Sequence, residues 1–276
     1  MARGVRAIIG AAHAGPSFVV TLVMVLLAHV SGLEPWRVLV LGVIMATNQF
    51  SIGWSNDAID AARDTDAERS DKPVVRGDVG LRTIMGLAVG AAATALVLSL
   101  VLGPAFALAH LVALGAGWSY NAGLKRTVLA TACYAVAFAL LPVLVALARE
   151  EPRPAAWWAV VMGGMLGLAA HFANVLPDLE ADRRHGIRAL PHRLGARGAG
   201  VVALAGLATA GVLGVLGAAP ATPLTTVGAG ATVALLIAGV IVTIRAPGSR
   251  TLFRIIMLAA LAAVLTLAGA GGSLVA

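Results

Sequence analysis

Residues 36–64 read WRVLVLGVIMATNQFSIGWSNDAIDAARD, an apolar run that ends in regularly spaced carboxylates. Asn56, Asp60 and Asp64 lie four apart, and Asp57 precedes Asp60 by three. Residues three and four apart share one face of a helix. The stretch therefore predicts a membrane helix, 36–55, whose end carries an amide and carboxylates in one row. Like charges at this spacing repel, and nearby lipid raises their cost. Such a row is stable only with cations beside it.

A second stretch repeats the design. Asn174, Asp178 and Asp182 close the apolar run 155–176, again as N-x-x-x-D-x-x-x-D. An offset of 118 pairs Asn56 with Asn174, Asp60 with Asp178 and Asp64 with Asp182. The same offset pairs Pro73 with Pro191 and Gly77 with Gly195. We read one domain, 1–276, containing a pseudo-repeat of the motif loops 56–80 and 174–198. Half-sites facing each other across a bundle are a common membrane-protein construction. A single motif could be a solvated acidic loop; two with matched spacing, each ending an apolar helix, argue against it.

The candidate ligands Asn56, Asp57, Asp60, Asp64, Asn174, Asp178 and Asp182 offer only oxygen. There is one cysteine, Cys133, so the sequence holds neither an internal disulfide nor a Cys/His metal cluster. Oxygen donors suit Mg²⁺, which binds through one or two carboxylates together with substrate phosphates. Two rows imply two ions, or a small cluster, around a diphosphate.

The rest of the chain agrees with a lipid solvent. Of its 276 residues 59 % are hydrophobic and 12 % charged. Mean hydropathy is +0.92. A soluble domain carries about 25 % charged residues. The net charge of +7 belongs to topology and anionic ligands rather than to nucleic acid, which the apolar mass argues against. Nine apolar segments are long enough, or nearly so, to span: 16–33, 36–55, 81–102, 104–119, 127–148, 155–176, 198–218, 223–244 and 252–274. The first follows Arg3 and Arg6 and is read as a membrane helix, with a signal peptide as the alternative. Gly163 with Gly167, and Gly211 with Gly214, are read as close-packing positions. With the N-terminus cytoplasmic, alternation puts 17 of 20 basic residues inside, leaving Arg37, Arg149 and Arg153 outside. The C-terminus then lies on the opposite side. Ten of 13 acidic residues fall in 57–78 and 178–182, a clustering that topology does not require.

Basic residues follow the motifs. Arg69, Lys72 and Arg76 come after the first, and Lys125 follows Tyr120 at the end of the fourth segment. All four cations are candidates for the diphosphate, Arg by bidentate contact and Lys as a point charge. Lys125, Tyr120 and Asp64 are the candidate catalytic residues; Asp64 would orient an acceptor. His171, one turn before Asn174, reads as a neutral histidine hydrogen-bonded between helices. Trp157 and Trp158 fit an outer aromatic belt.

Together these residues resemble the UbiA superfamily of intramembrane prenyltransferases. Its first motif, N-D-x-x-D-x-x-x-D, is complete from Asn56 to Asp64, and its second, D-x-x-x-D, appears as Asp178 and Asp182. The resemblance implies an all-α polytopic membrane protein with nine transmembrane helices around a central cavity. It implies a polyprenyl diphosphate donor, Mg²⁺ between the motifs and a small nucleophilic acceptor, whose identity the sequence leaves open along with oligomeric state. Lys125 resembles the family lysine, although Tyr120 precedes it by five residues rather than four. His13-Ala14-Gly15-Pro16 replaces the Arg-Pro that many members carry before the first helix. Two alternatives share parts of this pattern: a UbiA-type terpene cyclase, and a membrane transporter.

Overall fold

In lipid, backbone polar groups find no water, so apolar runs of this length satisfy them internally as helices. The computed structural model describes residues 2–66, 72–184, 186–218 and 221–269. Its α-helices are α1 (Ala2–Ala11), α2 (Ala14–Val30), α3 (Pro35–Asp66), α4 (Leu81–Ser99), α5 (Pro104–Ala122) and α6 (Ala130–Leu147). There follow α7 (Trp157–Val175), α8 (Leu179–Arg184), α9 (Leu190–Gly217), α10 (Pro223–Arg245) and α11 (Arg250–Ala268). Proline stands in the first turn of α3, α5, α9 and α10, where its missing N–H costs no helical bond.

Among the described residues seven helices are long and apolar enough to cross a membrane, and α2 is a shorter apolar helix. Helices α2, α3, α5, α6, α7, α9 and α11 follow one another round a ring, which α11 closes against α2. Outside it, α4 lies on α3 and α5, and α10 lies on α9 and α11. Both outer helices turn large apolar side chains outward, among them Val97, Val233, Ile237 and Ile244. Apolar patches of this extent are tolerable against acyl chains and not against water.

Three segments depart from the sequence reading. Helix α3 does not stop at residue 55 but carries the whole first motif to Asp66. Helix α9 starts at Leu190, eight residues before the expected span, and bends at Gly195 (φ 71°, ψ 176°). The amphipathic α1 was not expected. It is pinned to α3 by Trp54, whose Nε1 donates to the Ile8 carbonyl at 2.9 Å. Gly53 permits this, because any Cβ there would strike the Ala12 backbone. The end of the expected segment 252–274 lies outside the described residues.

Helices α6 and α7 pack most intimately. Pro142 cannot donate to the Phe138 carbonyl one turn earlier, and α7 presents Gly163 to that carbonyl. Gly167 sits likewise against the Tyr134 carbonyl. Lipid offers no hydrophobic drive between helices, so small residues that admit close contact supply the attraction. Next to this crossing a small apolar cavity opens between α2, α6, α7 and α11, lined by Val19, Phe138, Met162, Leu166, Met257 and Leu267.

Gly167→Ala should lower the thermal midpoint of the detergent-purified protein, at an overpacking cost of about 1–3 kcal/mol. Gly230→Ala, whose Cβ would meet open space, should leave it unchanged. Unfolding followed by size-exclusion chromatography checks both.

Candidate active site

The first motif occupies the last turns of α3. Asn56 donates from Nδ2 to Asn121 Oδ1 at 3.2 Å. Asn121, 2 % exposed, in turn donates to the Ile52 carbonyl and Ser55 Oγ, both at 2.9 Å, which fixes α5 against α3. Asp57 is buried beside two cation-forming groups, Lys72 Nζ at 2.5 Å and His13 Nε2 at 2.9 Å, both on Oδ1. Its Oδ2 is buried with no hydrogen-bond partner among the described residues. Asp60 is paired through both oxygens: Lys125 Nζ reaches Oδ1 at 2.5 Å and Arg63 Nη2 reaches Oδ2 at 3.0 Å. Asp64 is buried, 3.6 Å from the same guanidinium.

The second motif begins in α7. Asn174 donates from Nδ2 to the Tyr134 hydroxyl at 3.3 Å. Pro177 lacks an N–H, and the chain passes through a 3₁₀ turn, Leu176–Asp178, before α8. A 3₁₀ turn advances about 120° per residue rather than 100°, so the expected straight row is bent at Asp178. Asp178 is half-buried in this turn. Asp182, in α8, pairs with His192 Nε2 at 3.1 Å and lies 4.0 Å from Arg63 Nη1. The two motifs therefore meet around one guanidinium.

The expected phosphate-binding residues separate. Lys125 is drawn into the site because Gly123 (φ 150°) ends α5 and turns the chain into the 3₁₀ segment Leu124–Arg126. Burial holds its ammonium below the ordinary lysine value, against the opposing pull of the Asp60 carboxylate. Lys72 is held by Asp57 and lies 3.2 Å from His13 Nε2. Arg76, largely exposed, pairs with Asp78 of its own loop at 2.7 Å. Arg69 lies outside the described residues.

Beneath the carboxylates sits an aromatic cluster. Tyr120 and Tyr134 meet edge to face at 5.2 Å between centroids, and His171 lies 5.9 Å from one and 5.0 Å from the other. His171 is fully buried, and neither ring nitrogen has a hydrogen-bond partner among the described residues. The interhelical hydrogen bond expected for it is replaced by ring contacts. Tyr134 also stacks on Phe138, which lines the apolar cavity. The bundle thus grades from carboxylates through tyrosines to aliphatic side chains.

Four site residues escaped the sequence reading. His13 has a left-handed backbone (φ 51°, ψ 51°) at the α1–α2 corner, and only that corner brings it to Asp57. Asn121 and His192 reach the motifs from other helices. Arg63 had a signal, its i,i+3 spacing from Asp60, but was counted only as topological charge.

Among the described residues no three acidic or imidazole side chains converge in a coordination shell as they stand. Their chemistry nevertheless fits a divalent ion: carboxylate oxygens from two helices already enclose a cationic group, and Asp57 Oδ2 remains unsatisfied. Asp57, Asp60, Asp64 and Asp182, with Asn56, Asn174 and Asp178 close in sequence, are the residues that could hold Mg²⁺.

The pattern of the UbiA prenyltransferase family matches residues 17–262. The chain belongs to this family. UbiA-type folds agree: a UbiA homologue from Archaeoglobus fulgidus bound to GPP and Mg²⁺ is 17 % identical, with a TM-score of 0.70 over 95 % of this chain and 99 % of that one. The apo UbiA homologue from Aeropyrum pernix K1 is 19 % identical, with a TM-score of 0.69 over 95 % and 96 %. A structure described as digeranylgeranylglyceryl phosphate synthase in membranes is 13 % identical, with a TM-score of 0.68 over 99 % of both chains. No curated protein matches the sequence.

Lys125→Met should destabilise this UbiA fold by roughly 3 kcal/mol at most, because Arg63 still covers the other oxygen of Asp60. Adding Asp60→Asn should recover most of the loss, since no buried charge is then left alone. Thermal midpoints of the two single variants and the double variant give the coupling.

Proposed function

We propose that the protein is a Mg²⁺-dependent prenyltransferase that moves a prenyl group from a polyprenyl diphosphate to a small nucleophilic acceptor, aromatic or otherwise. The observation that carries this reading is the meeting of both acidic motifs around Arg63, with Lys125 alongside and an apolar cavity beyond the tyrosines. The A. fulgidus homologue bound to GPP and Mg²⁺ supports the donor class. The membrane arrangement goes with it: we read α2 and α5 as further spans beside the seven long apolar helices, nine in all. Positive-inside charge then puts the motif end in the cytoplasm, the N-terminus on the same side and the C-terminus opposite.

An amphipathic donor has one orientation here. Its diphosphate seeks the cationic end and its chain the apolar cavity, so C1 falls beside Tyr120, Tyr134 and His171. When bound, Mg²⁺ supplies Lewis-acid stabilisation of the diphosphate. Asn56, Asp57, Asp60, Asp64, Asn174, Asp178 and Asp182 would hold it. Lys125 places its ammonium where charge develops as the C1–O bond lengthens, and it is preorganised by the Asp60 contact. Lys72, now on Asp57, and Arg76, now on Asp78, are the loop cations that would turn to the outer phosphate, with Arg69 a further candidate by its place in the sequence. The faces of Tyr120 and Tyr134 carry negative quadrupole toward a developing allylic cation. Packing around them excludes water that would otherwise intercept it. Asp64 orients the acceptor; the bond from the acceptor to C1 replaces the broken C1–O bond, and the acceptor's proton passes to a base, for which the departing diphosphate suffices.

Purified protein in lipid nanodiscs, supplied with geranylgeranyl diphosphate, Mg²⁺ and a panel of acceptors, should release diphosphate and form a prenylated product seen by mass spectrometry. Asp60→Ala and Asp178→Ala should each lower turnover by a factor of about 10² or more while the protein still elutes as a folded species. Chelation by EDTA should abolish turnover, and added Mg²⁺ should restore it. Full activity in both variants would overturn the mechanism. A hydrocarbon or cyclic alcohol formed without acceptor would point instead to a cyclase, and solute uptake without diphosphate release to a transporter.

A further inference from the structure

The acidic cluster already contains a cation, at a position of the first motif that supplies no oxygen ligand. Arg63 stands between Asp60 and Asp64 in α3, and its guanidinium lies 3.0 Å from Asp60, 3.6 Å from Asp64 and 4.0 Å from Asp182. It is part-buried, at 23 % exposure, and it is the ion pair that joins one motif to the other. The remaining oxygens are also engaged, Asp60 by Lys125 and Asp182 by His192. This explains why the acidic side chains do not converge in a coordination shell as they stand.

A guanidinium and a divalent ion compete for these oxygens. Arg63 occupies one oxygen of each of the three carboxylates, and its charge would repel a divalent ion brought among them in a partly buried site. Removing the guanidinium without replacement is equally unfavourable, because three carboxylates from two helices would face one another. The long arginine side chain offers a third course. A diphosphate entering with the metal brings oxygens that a guanidinium grips bidentately.

We infer that Arg63 is a resident cation that holds the two acidic motifs together in the metal-free protein, and that it passes to the diphosphate oxygens when Mg²⁺ takes the carboxylates. The inference rests on the magnesium–diphosphate reading above. Arg63 is then a diphosphate-binding residue delivered by exchange. Metal alone binds weakly, because it must expel Arg63 with nowhere for the guanidinium to go. Metal and donor together bind cooperatively, because each supplies what the other displaces.

The test uses full-length protein in nanodiscs and Mn²⁺ as the metal probe, with bound and free ion separated by electron paramagnetic resonance. Arg63→Gln should bind Mn²⁺ alone at least tenfold more tightly than the unaltered protein, whereas Arg63→Lys should stay within about threefold of it. With geranyl diphosphate present the advantage of Arg63→Gln should shrink or reverse. The metal-free thermal midpoint of Arg63→Gln should fall, and Mn²⁺ should raise it by more than in the unaltered protein. Equal or weaker Mn²⁺ binding by Arg63→Gln would overturn the inference. Should that variant not fold, phenylglyoxal labelling of the unaltered protein, read at Arg63 by mass spectrometry, decides the matter. Reactivity should rise with Mn²⁺ alone and fall when geranyl diphosphate is added; no change on metal addition overturns the exchange. Absence of Mn²⁺ binding in every form, donor present, would remove the magnesium reading itself, a failure distinct from an unaltered affinity in Arg63→Gln.

Discussion

Carboxylates crowded at the ends of two apolar helices repel one another, and that repulsion decides which other segments must come to the same place. Two unit charges 4 Å apart interact by about 4 kcal/mol at an effective dielectric of 20, so uncompensated pairs would splay the bundle end. Compensation arrives from separate elements. His13 comes from the α1–α2 corner, Lys72 from the loop after α3, Lys125 from the turn between α5 and α6, and His192 from α9. Each brings its backbone with it. Much of the arrangement at this end follows from the need to neutralise five aspartates, whereas at the opposite end Arg37 and Arg149 tie helices together by donating to the Ala148 and Ser31 carbonyls.

Packing then sets how far the apolar chamber stands from the charges. Helices α6 and α7 approach closely because Gly163 and Gly167 meet backbone carbonyls, and that contact positions Tyr134 between Asn174 and Phe138. At the other corner Gly53 lets α1 close on α3, which brings His13 to Asp57. Small residues here act on the site at a distance, by fixing which side chains share a level.

Much of this was legible in the sequence because it is written in local periodicity. Apolar runs locate the helices, and four-residue spacing locates the motif ligands. Hydropathy located helix ends poorly, since a helix continues as long as its backbone bonds do: α3 runs eleven residues past its apolar stretch. Pairing across the bundle was not legible. Lys72 looked like a phosphate ligand from its neighbours but is held by Asp57, and Arg63 looked like topological charge but joins the motifs. Such choices depend on which carboxylate a long side chain finds after folding. Two glycines paired by the 118-residue offset, Gly77 and Gly195, both have positive φ, 73° and 71°. Helix propensity would disfavour glycine at both places, while a positive φ favours it.

The same gradient that organises the fold constrains the chemistry. Full burial of His171 without a hydrogen-bond partner among the described residues leaves a polar ring at the boundary between charge and hydrocarbon. An unsatisfied buried group of this kind costs about 1–3 kcal/mol. On the proposed mechanism, water that relieved that cost would stand beside the allylic cation. An aromatic layer, Tyr120, Tyr134 and His171, lies next to the highly charged one. A soluble active site would have to build such a boundary with a closing lid. Here the membrane supplies the dry side and the helix ends supply the wet one, so a static bundle can hold a diphosphate and a hydrocarbon tail in adjacent layers.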